Sequence, residues 1–587
     1  MSQPTSPDRR ALGRRLPRRT ALRVGAVAGL GGGLSYALAC TGGGKSSGNR
    51  GRGGITPTAT SAVAPGVPTA APNANAEAQG RPGGALTLAA PGYPPGYDLV
   101  AQDAALTGSF ISLVCNGLLA FRNGSARFPD PADAALVPDL AAAMPEQPDA
   151  RTYLFKLRPG VAWQQAPPLN GRALTAADLV WHFTRAAHEP KSTLKTDFGV
   201  IERVEAVDEA TVRFTLTEPS APFLALVAGG ASRYILPREL TEGATPRNTV
   251  VGTGPFMLAR RDPGAQALFK RNLDYWKRDA AGKPLPYADE VHWLALGDAA
   301  AQLQRLQARE ANLSWPLAPN DLAQLRASNG NDYEFADLPG VSNCLFMRLD
   351  QPPFNDKRVR QALSLALDRP ALAQALGKGR GQVDLPIPAF LGEYALSPGS
   401  LGETGKLYTR DLQAARQLLA AAGHADGLRT TLTYTAQYGA AFVQAARLII
   451  AQLNEAGIDA AARPVEYPAF LRGAFVGAFE GLAYEQRRRY PDPDPYLSYY
   501  YLPGAVFYQD HADDADLRAL ILKQRQTLDR TARLAVLGEL QRYLSDAMYR
   551  VCDVAIPDAQ AWARTVKNWR GNAWQSFSPL EATWLRS

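Results

Sequence analysis

Three consecutive arginines, Arg487–Arg489, stand between Tyr484 on one side and Tyr490 and Tyr496 on the other. A guanidinium fork grips a carboxylate, phosphate or sulfate through two parallel hydrogen bonds. Tyrosine packs against flat apolar faces, sugar rings included, and adds a hydroxyl. That chemistry holds a small polar molecule; it does not transform one. A charge run is also what a solvated loop carries, and half-buried loop tyrosines are ordinary, so both readings stand at this point. Tyr93 and Tyr97 offer the same chemistry far upstream, whereas Tyr499-Tyr500-Tyr501 read as packing. The chain has no HExxH or CxxC signature. Its five histidines (182, 188, 292, 424 and 511) show no metal-ligand spacing, so neither a metal nor a cofactor is expected. Abundant Asp and Glu leave a carboxylate-pair hydrolase open as another class. Gly44-Lys45-Ser46 resembles the end of a phosphate loop, but Ala39 stands where its first glycine belongs, so that motif is rejected.

The elements that would position these residues are mixed α and β. Gly84–Ala89 alternates as a first strand, and Thr152–Arg158 sets Tyr153, Phe155 and Leu157 on one face. Val204–Leu216 reads as a hairpin turning at Asp208-Glu209. Thr175 and Asp178 form a capping box opening a helix through Ala187. Asn355 is expected to cap a helix with a buried stripe of Val359, Ala362, Leu363, Ala366 and Leu367. Asp368 caps the next, with Pro370 in its first turn. Further helices are expected from Thr409 to a stop at Gly423, and over Ala441–Ala456. Gly252-Thr253-Gly254-Pro255 is expected to make a tight turn through positive φ.

Ahead of this body lies a different kind of sequence. Arg18-Arg19 precede the uncharged run Val24–Ala39, which ends at Cys40. A cationic start, a short apolar run and small residues before a cysteine make residues 1–39 an export signal, with Cys40 as the lipidated residue. An uncleaved anchor is the other reading. Residues 40–82, rich in Gly, Ser, Pro, Thr and Ala, lack the apolar surface to fold and are expected to be a disordered tether. Residues 1–82 hold ten Arg and one Lys against two acids, so the chain's +8 leaves −1 for the body. A neutral body offers no electrostatic footprint for nucleic acid. About 505 residues suit two or three domains. Cys115, Cys344 and Cys552 lie far apart and allow at most one disulfide; buried free thiols are expected.

Several stretches then line up in order. They are Tyr153–Val161, Leu174–Val180, Ile201–Asp208 with Thr211–Leu216, Val251–Phe256 with Arg271-Asn272 and Asp274-Tyr275-Trp276, and Phe354–Leu363 with Ala366–Arg369. Together, between about residues 83 and 500, they resemble solute-binding protein family 5, the dipeptide- and oligopeptide-binding components of peptide- and nickel-type ABC importers. The resemblance implies a large two-lobed α/β fold of the periplasmic-binding-protein type II kind, with an inserted domain and a two-segment hinge. On it, residues 83–125, 233–340 and 555–587 are lobe I, 126–232 the inserted domain and 341–554 lobe II. Solute would sit between the lobes and pass to a permease. The protein would act outside the cytoplasm as a lipid-anchored monomer, without nucleic acid.

The resemblance also implies a ligand wall in Gly481–Tyr496, where relatives carry Gly-Trp-x-x-Asp and then Asp-Pro. Asp492-Pro493 fits the latter. Counting back, the acid that would meet a peptide ammonium is Arg489, and the aromatic after the glycine is Leu482. The ligand-lining set so implied is Tyr93, Tyr97, Leu482, Ala483, Tyr484, Glu485, Arg489, Tyr490 and Asp492. A cation at 489 would repel an ammonium unless Glu485 supplies the anion. Peptide-like solutes lead, and an oligosaccharide or anionic conjugate follows. A hydrolase and a ligand-sensing regulator are the other classes.

Overall fold

Leu86, Leu88, Ala89 and Ala90 are buried on both faces of the strand Ala85–Ala90, which makes it a central strand. Glu290–Ala295 and Leu313–Ser314 flank it in parallel. They belong to a seven-stranded sheet that also takes Phe256–Asp262, Gln266–Arg271, Tyr333–Asp337 and, from the far end of the chain, Ala559–Ala563. A five-stranded sheet is built from Ile458–Pro464, Leu428–Tyr434, Leu482–Gln486, Asn343–Met347 and Arg550–Cys552, in that order. A four-stranded antiparallel sheet, Glu146–Asp149, Thr152–Lys156, Thr211–Leu216 and Ile201–Ala206, lies within residues 126–232. These coordinates are a computed structural model that describes residues 80–586 apart from 95, 102–104, 123–134, 230–232, 243–248, 341, 506 and 572–576. The twin-arginine segment, Cys40, Gly44-Lys45-Ser46 and nearly all of the tether lie outside the described residues. Among the described residues, no helix is long and apolar enough to cross a membrane.

Each large sheet has its own core. One gathers Leu86, Phe110, Phe269 and Trp293; the other gathers Leu345, Leu363, Ile449, Leu482 and Tyr484. The chain passes between them twice, after Tyr333–Asp337 and before Ala559–Ala563. Two lobes joined by two crossovers are therefore the architecture.

Local signals place most helices. Asp178 accepts the Thr175 N–H at 3.0 Å, opening Ala176–His188. Asp368 accepts the Ala371 N–H at 2.9 Å, opening Arg369–Gly377. Two caps differ from expectation. Asp356, not Asn355, caps Lys357–Ala366, and Asp411, not Thr409, caps Leu412–Ala421. In each case a carboxylate slightly further on accepts the first-turn N–H and adds a favourable charge at the helix start. The expected turn at 252–255 is also different: neither glycine takes positive φ. A Cβ on Gly252 would stand 2.1 Å from the Val114 carbonyl oxygen, and one on Gly254 2.5 Å from it. These glycines let two backbones touch, and Gly254 N–H donates to that carbonyl at 2.7 Å. The free-thiol expectation holds for buried Cys115 only, because Cys344 and Cys552 are joined by a disulfide. They face each other across the antiparallel pair Asn343–Met347 and Arg550–Cys552, a juxtaposition with no local trace in the sequence.

Candidate functional site between the lobes

Ligands of open α/β sheets sit beyond the carboxyl ends of parallel strands. In the seven-stranded sheet that edge carries residues 91–94 and 96–98, following Ala85–Ala90, and Trp315, following Leu313–Ser314. Tyr93 is half-buried there; its hydroxyl donates to the Asp262 carbonyl at 3.0 Å, and Arg261 lies 4.8 Å over its ring. Burial pushes its phenol up to about 12. Tyr97 is buried: its ring stacks on Phe110 at 5.2 Å inside the lobe I core.

In the five-stranded sheet, the corresponding edge is where Leu482–Gln486 ends and both crossovers attach, since Gln486 pairs with Asn343 and Cys344 with Cys552. Leu482, Ala483 and Tyr484, expected to line ligand, are fully buried within that central strand. Alternation sends Leu482 and Tyr484 to one core and Ala483 to another. The Tyr484 ring stacks on Phe442 at 4.5 Å, and its hydroxyl donates to Asp553 and accepts from Asn343 Nδ2 at 3.0 Å. Glu485 is buried too. It accepts from Gln509 Nε2 at 2.9 Å, and desolvation pushes its carboxyl up to about 7 against the pull of Arg550.

The arginine run resolves into three different environments. Arg487 is buried, donating to Ser342 Oγ at 3.3 Å and the Leu385 carbonyl at 3.1 Å beside Asp384, with Tyr496 under its guanidinium at 4.9 Å. Arg488 is exposed and lies 5.3 Å over Phe507. Arg489 reaches the crossovers: Nε donates to the Pro339 carbonyl at 2.5 Å and Nη2 to Asp558 at 2.7 Å. Of the three, only Arg488 sits on a solvated surface. Tyr490 is half-buried, its N–H held by Tyr496 Oη at 2.8 Å. Asp492 is buried in a two-bond pair with Arg533, at 2.6 and 2.9 Å, and serves the lobe II interior.

Contacts between lobes continue past Tyr490. A Cβ on Gly229 would lie 2.6 Å from Pro491 Cγ. Ala221 N–H donates to the Arg525 carbonyl at 2.7 Å, and Gln526 Nε2 to Glu218 at 2.6 Å. Residues 489–491 thus run from the crossovers to the 218–229 segment. Of the sequence-derived residues, Arg488 is exposed, and Arg489, Tyr490 and Tyr93 keep part of their surface. Sequence reasoning missed Asp558, Pro339, Gly229 and the Asn343–Tyr484–Asp553 cluster, none of which carries a motif. Gly481 lines a separate cavity of about 360 Å³, with Arg348, Phe354 and Thr430, at the opposite edge of the five-stranded sheet. Among the described residues, no cluster of His, Cys, Asp and Glu could hold a metal ion.

Two unequal α/β lobes, joined by paired crossovers and meeting along one lined seam, define a solute-binding protein of the two-lobed class. Residues 135–507 match the family described as bacterial extracellular solute-binding proteins, family 5 Middle, and the chain belongs to that family. It is 28% identical to Di/tripeptide-binding protein 3 of Pseudomonas aeruginosa (strain UCBPP-PA14), over 71% of this chain and 79% of that one. Solved structures share the fold. MoaA from A. tumefacien R10 in complex with mannopinic acid has a TM-score of 0.70 at 24% identity, covering 86% of this chain and 100% of that chain. The ABC transporter-associated DppA of Helicobacter pylori in complex with peptide STSA has a TM-score of 0.70 at 22% identity, covering 86% and 99%.

Proposed function

We propose that this protein captures a small peptide-like solute between its lobes, outside the cytoplasm, and delivers it unaltered to an ABC permease. In this reading residues 341–554 form lobe II, 126–232 are an insertion into lobe I, and Cys40 carries the lipid that tethers a monomer to the membrane. The observation carrying it is the 489–491 segment, which lies across the interlobe seam with both ends against lobe I. The peptide-binding relatives support the solute class.

A second reading has a specific observation behind it. At the position where the resemblance implies an acid for a peptide ammonium, this chain has Arg489, already paired with Asp558. Exposed Arg488 adds positive charge next to it, while Tyr490 and Tyr93 add aromatic faces. That favours an acidic conjugate or oligosaccharide, and a structural neighbour was solved with mannopinic acid.

Mass spectrometry of solute released from the natively purified protein decides between them. Di- or tripeptides are the expected result. Sugar acids or oligosaccharides would replace that solute class by the second reading. Sustained product formation from peptides at catalytic protein levels would overturn solute capture altogether.

A further inference from the structure

The two crossovers are fixed at both ends and thin in the middle. On the lobe I side, Leu338 N–H donates to the Asp558 carbonyl at 2.9 Å, just beyond the paired strands Tyr333–Asp337 and Ala559–Ala563. On the lobe II side, Asn343 N–H donates to Asp553 at 2.8 Å and Asp553 N–H to the Asn343 carbonyl at 3.0 Å; the Cys344–Cys552 disulfide follows one residue further in. Val554-Ala555 are also held to lobe II, by pairing with Gln382-Val383. Ser342 is held to lobe II as well, its N–H and hydroxyl both donating to Asp384 at 3.1 and 2.9 Å. Among the described residues, what remains is Gly340 on one crossover and Ile556-Pro557 on the other. There the two backbones nearly touch: a Cβ on Gly340 would stand 2.6 Å from the Ile556 carbonyl carbon. Rotation of one lobe against the other must be absorbed in these few residues.

Arg489 spans that joint. Its backbone belongs to lobe II, three residues beyond Leu482–Gln486, whereas both of its bonds end on the lobe I side, at Pro339 and Asp558. Its side chain is 11% exposed and that of Asp558 36%, so the pair is partly desolvated and charge-assisted. Bonds of 2.5 and 2.7 Å do not survive a separation of another ångström or so. Opening about Gly340 and Ile556-Pro557 therefore costs both of them.

We infer that Arg489 is an interlobe clasp: a positioning residue that ties lobe II to the lobe I ends of both crossovers and biases the protein toward closure before solute arrives. The clasp rests on the geometry of the joint and is independent of which solute is bound. It also gives this arginine a partner within the chain, so Asp558 is neutralised from inside.

The test is an interlobe distance in the ligand-free, full chain. Spin labels at Leu273→Cys and Val476→Cys, 78% and 60% exposed on lobes I and II, are read by double electron–electron resonance. The unsubstituted clasp is expected to give one dominant distance. Arg489→Gln and Asp558→Asn should each lower the closed-to-open ratio about tenfold, as loss of a charge-assisted bond predicts. The exchange Arg489→Asp with Asp558→Arg should restore part of the closed population. An open distribution in the parent, unchanged distances in both single variants, or a fall in thermal midpoint with no change in distance would each overturn the clasp.

Discussion

A carboxylate at the end of a central strand carries a pH signature that can be read without knowing the solute. Glu485 lies directly across from Cys344 and is closed off by Gln509, Arg550 and Arg488, with Asp510 next to Arg550 and with Tyr438 and Tyr500 around it. Burial outweighs the arginines and raises its carboxyl from 4.5 to about 7. Between those two pH values the folded chain holds a proton that the unfolded chain releases. The Glu485 contribution to stability is therefore fully present below about pH 4.5, falls as pH rises toward 7, and is flat above. Glu485→Gln keeps the shape and a polar partner for Gln509 but cannot ionise. Its thermal midpoint relative to the parent should rise between pH 5 and pH 8. Parallel curves across that range would show that Glu485 is already charged in the folded protein. Asp553, raised to about 6 by burial, titrates in a lower window and leaves the upper half of this test to Glu485.

The strand and crossover scale is governed by a bond that closes lobe II on itself. Cys344 and Cys552 are 208 residues apart in sequence and adjacent in the sheet, so the disulfide joins the strands of the five-stranded sheet that come first and last in the chain. Cross-linking restricts the unfolded chain, and for a loop this long removal costs about 2–5 kcal/mol. All nine tryptophans lie outside residues 341–554. Tryptophan fluorescence thus reports the rest of the molecule, while far-UV circular dichroism reports both lobes. In urea, Cys344→Ala with Cys552→Ala should move the dichroism transition to lower denaturant and leave the fluorescence transition behind it. Coincident, unshifted transitions would mean that the bond does not stabilise lobe II. The same scale shows what was legible in the chain. Alternation in Thr152–Arg158 and the caps at Thr175 and Asp368 were readable because each is settled within four residues. The disulfide, the burial of Leu482–Tyr484 and the pairing of Arg489 depend on strands far apart in sequence. An arginine run looks the same whether it faces water, a carbonyl cluster or a hinge. The burial of Tyr97 was hidden for a related reason: an exposed loop tyrosine and one folded back onto Phe110 share a sequence signature.

For the whole molecule, capture is a two-state equilibrium, and a solute shifts it only by binding one state better than the other. Contacts within the protein set where that equilibrium starts. The clasp at Arg489 is one such contact on the hinge side. The seam at Gly229 is another, two residues further along, at Pro491. Gly229 has φ of −107°, a conformation open to any residue, so its glycine is explained by space: Pro491 on lobe II occupies the position a Cβ would need, and Ala225 and Phe121 crowd it from the same lobe. Gly229→Val should therefore push the seam apart while leaving both lobes folded. If closed molecules fall to a fraction f of their former number, apparent affinity for the natively bound solute falls by the same factor. We expect a loss of about tenfold or more by calorimetric titration, with the interlobe label distance moving to longer values. Arg489→Gln acts on the same equilibrium from the opposite end, and the two sites share no partner, so their effects on the logarithm of the closed-to-open ratio should add. A double variant no more open than either single one would show that hinge and seam are a single contact surface that opens together.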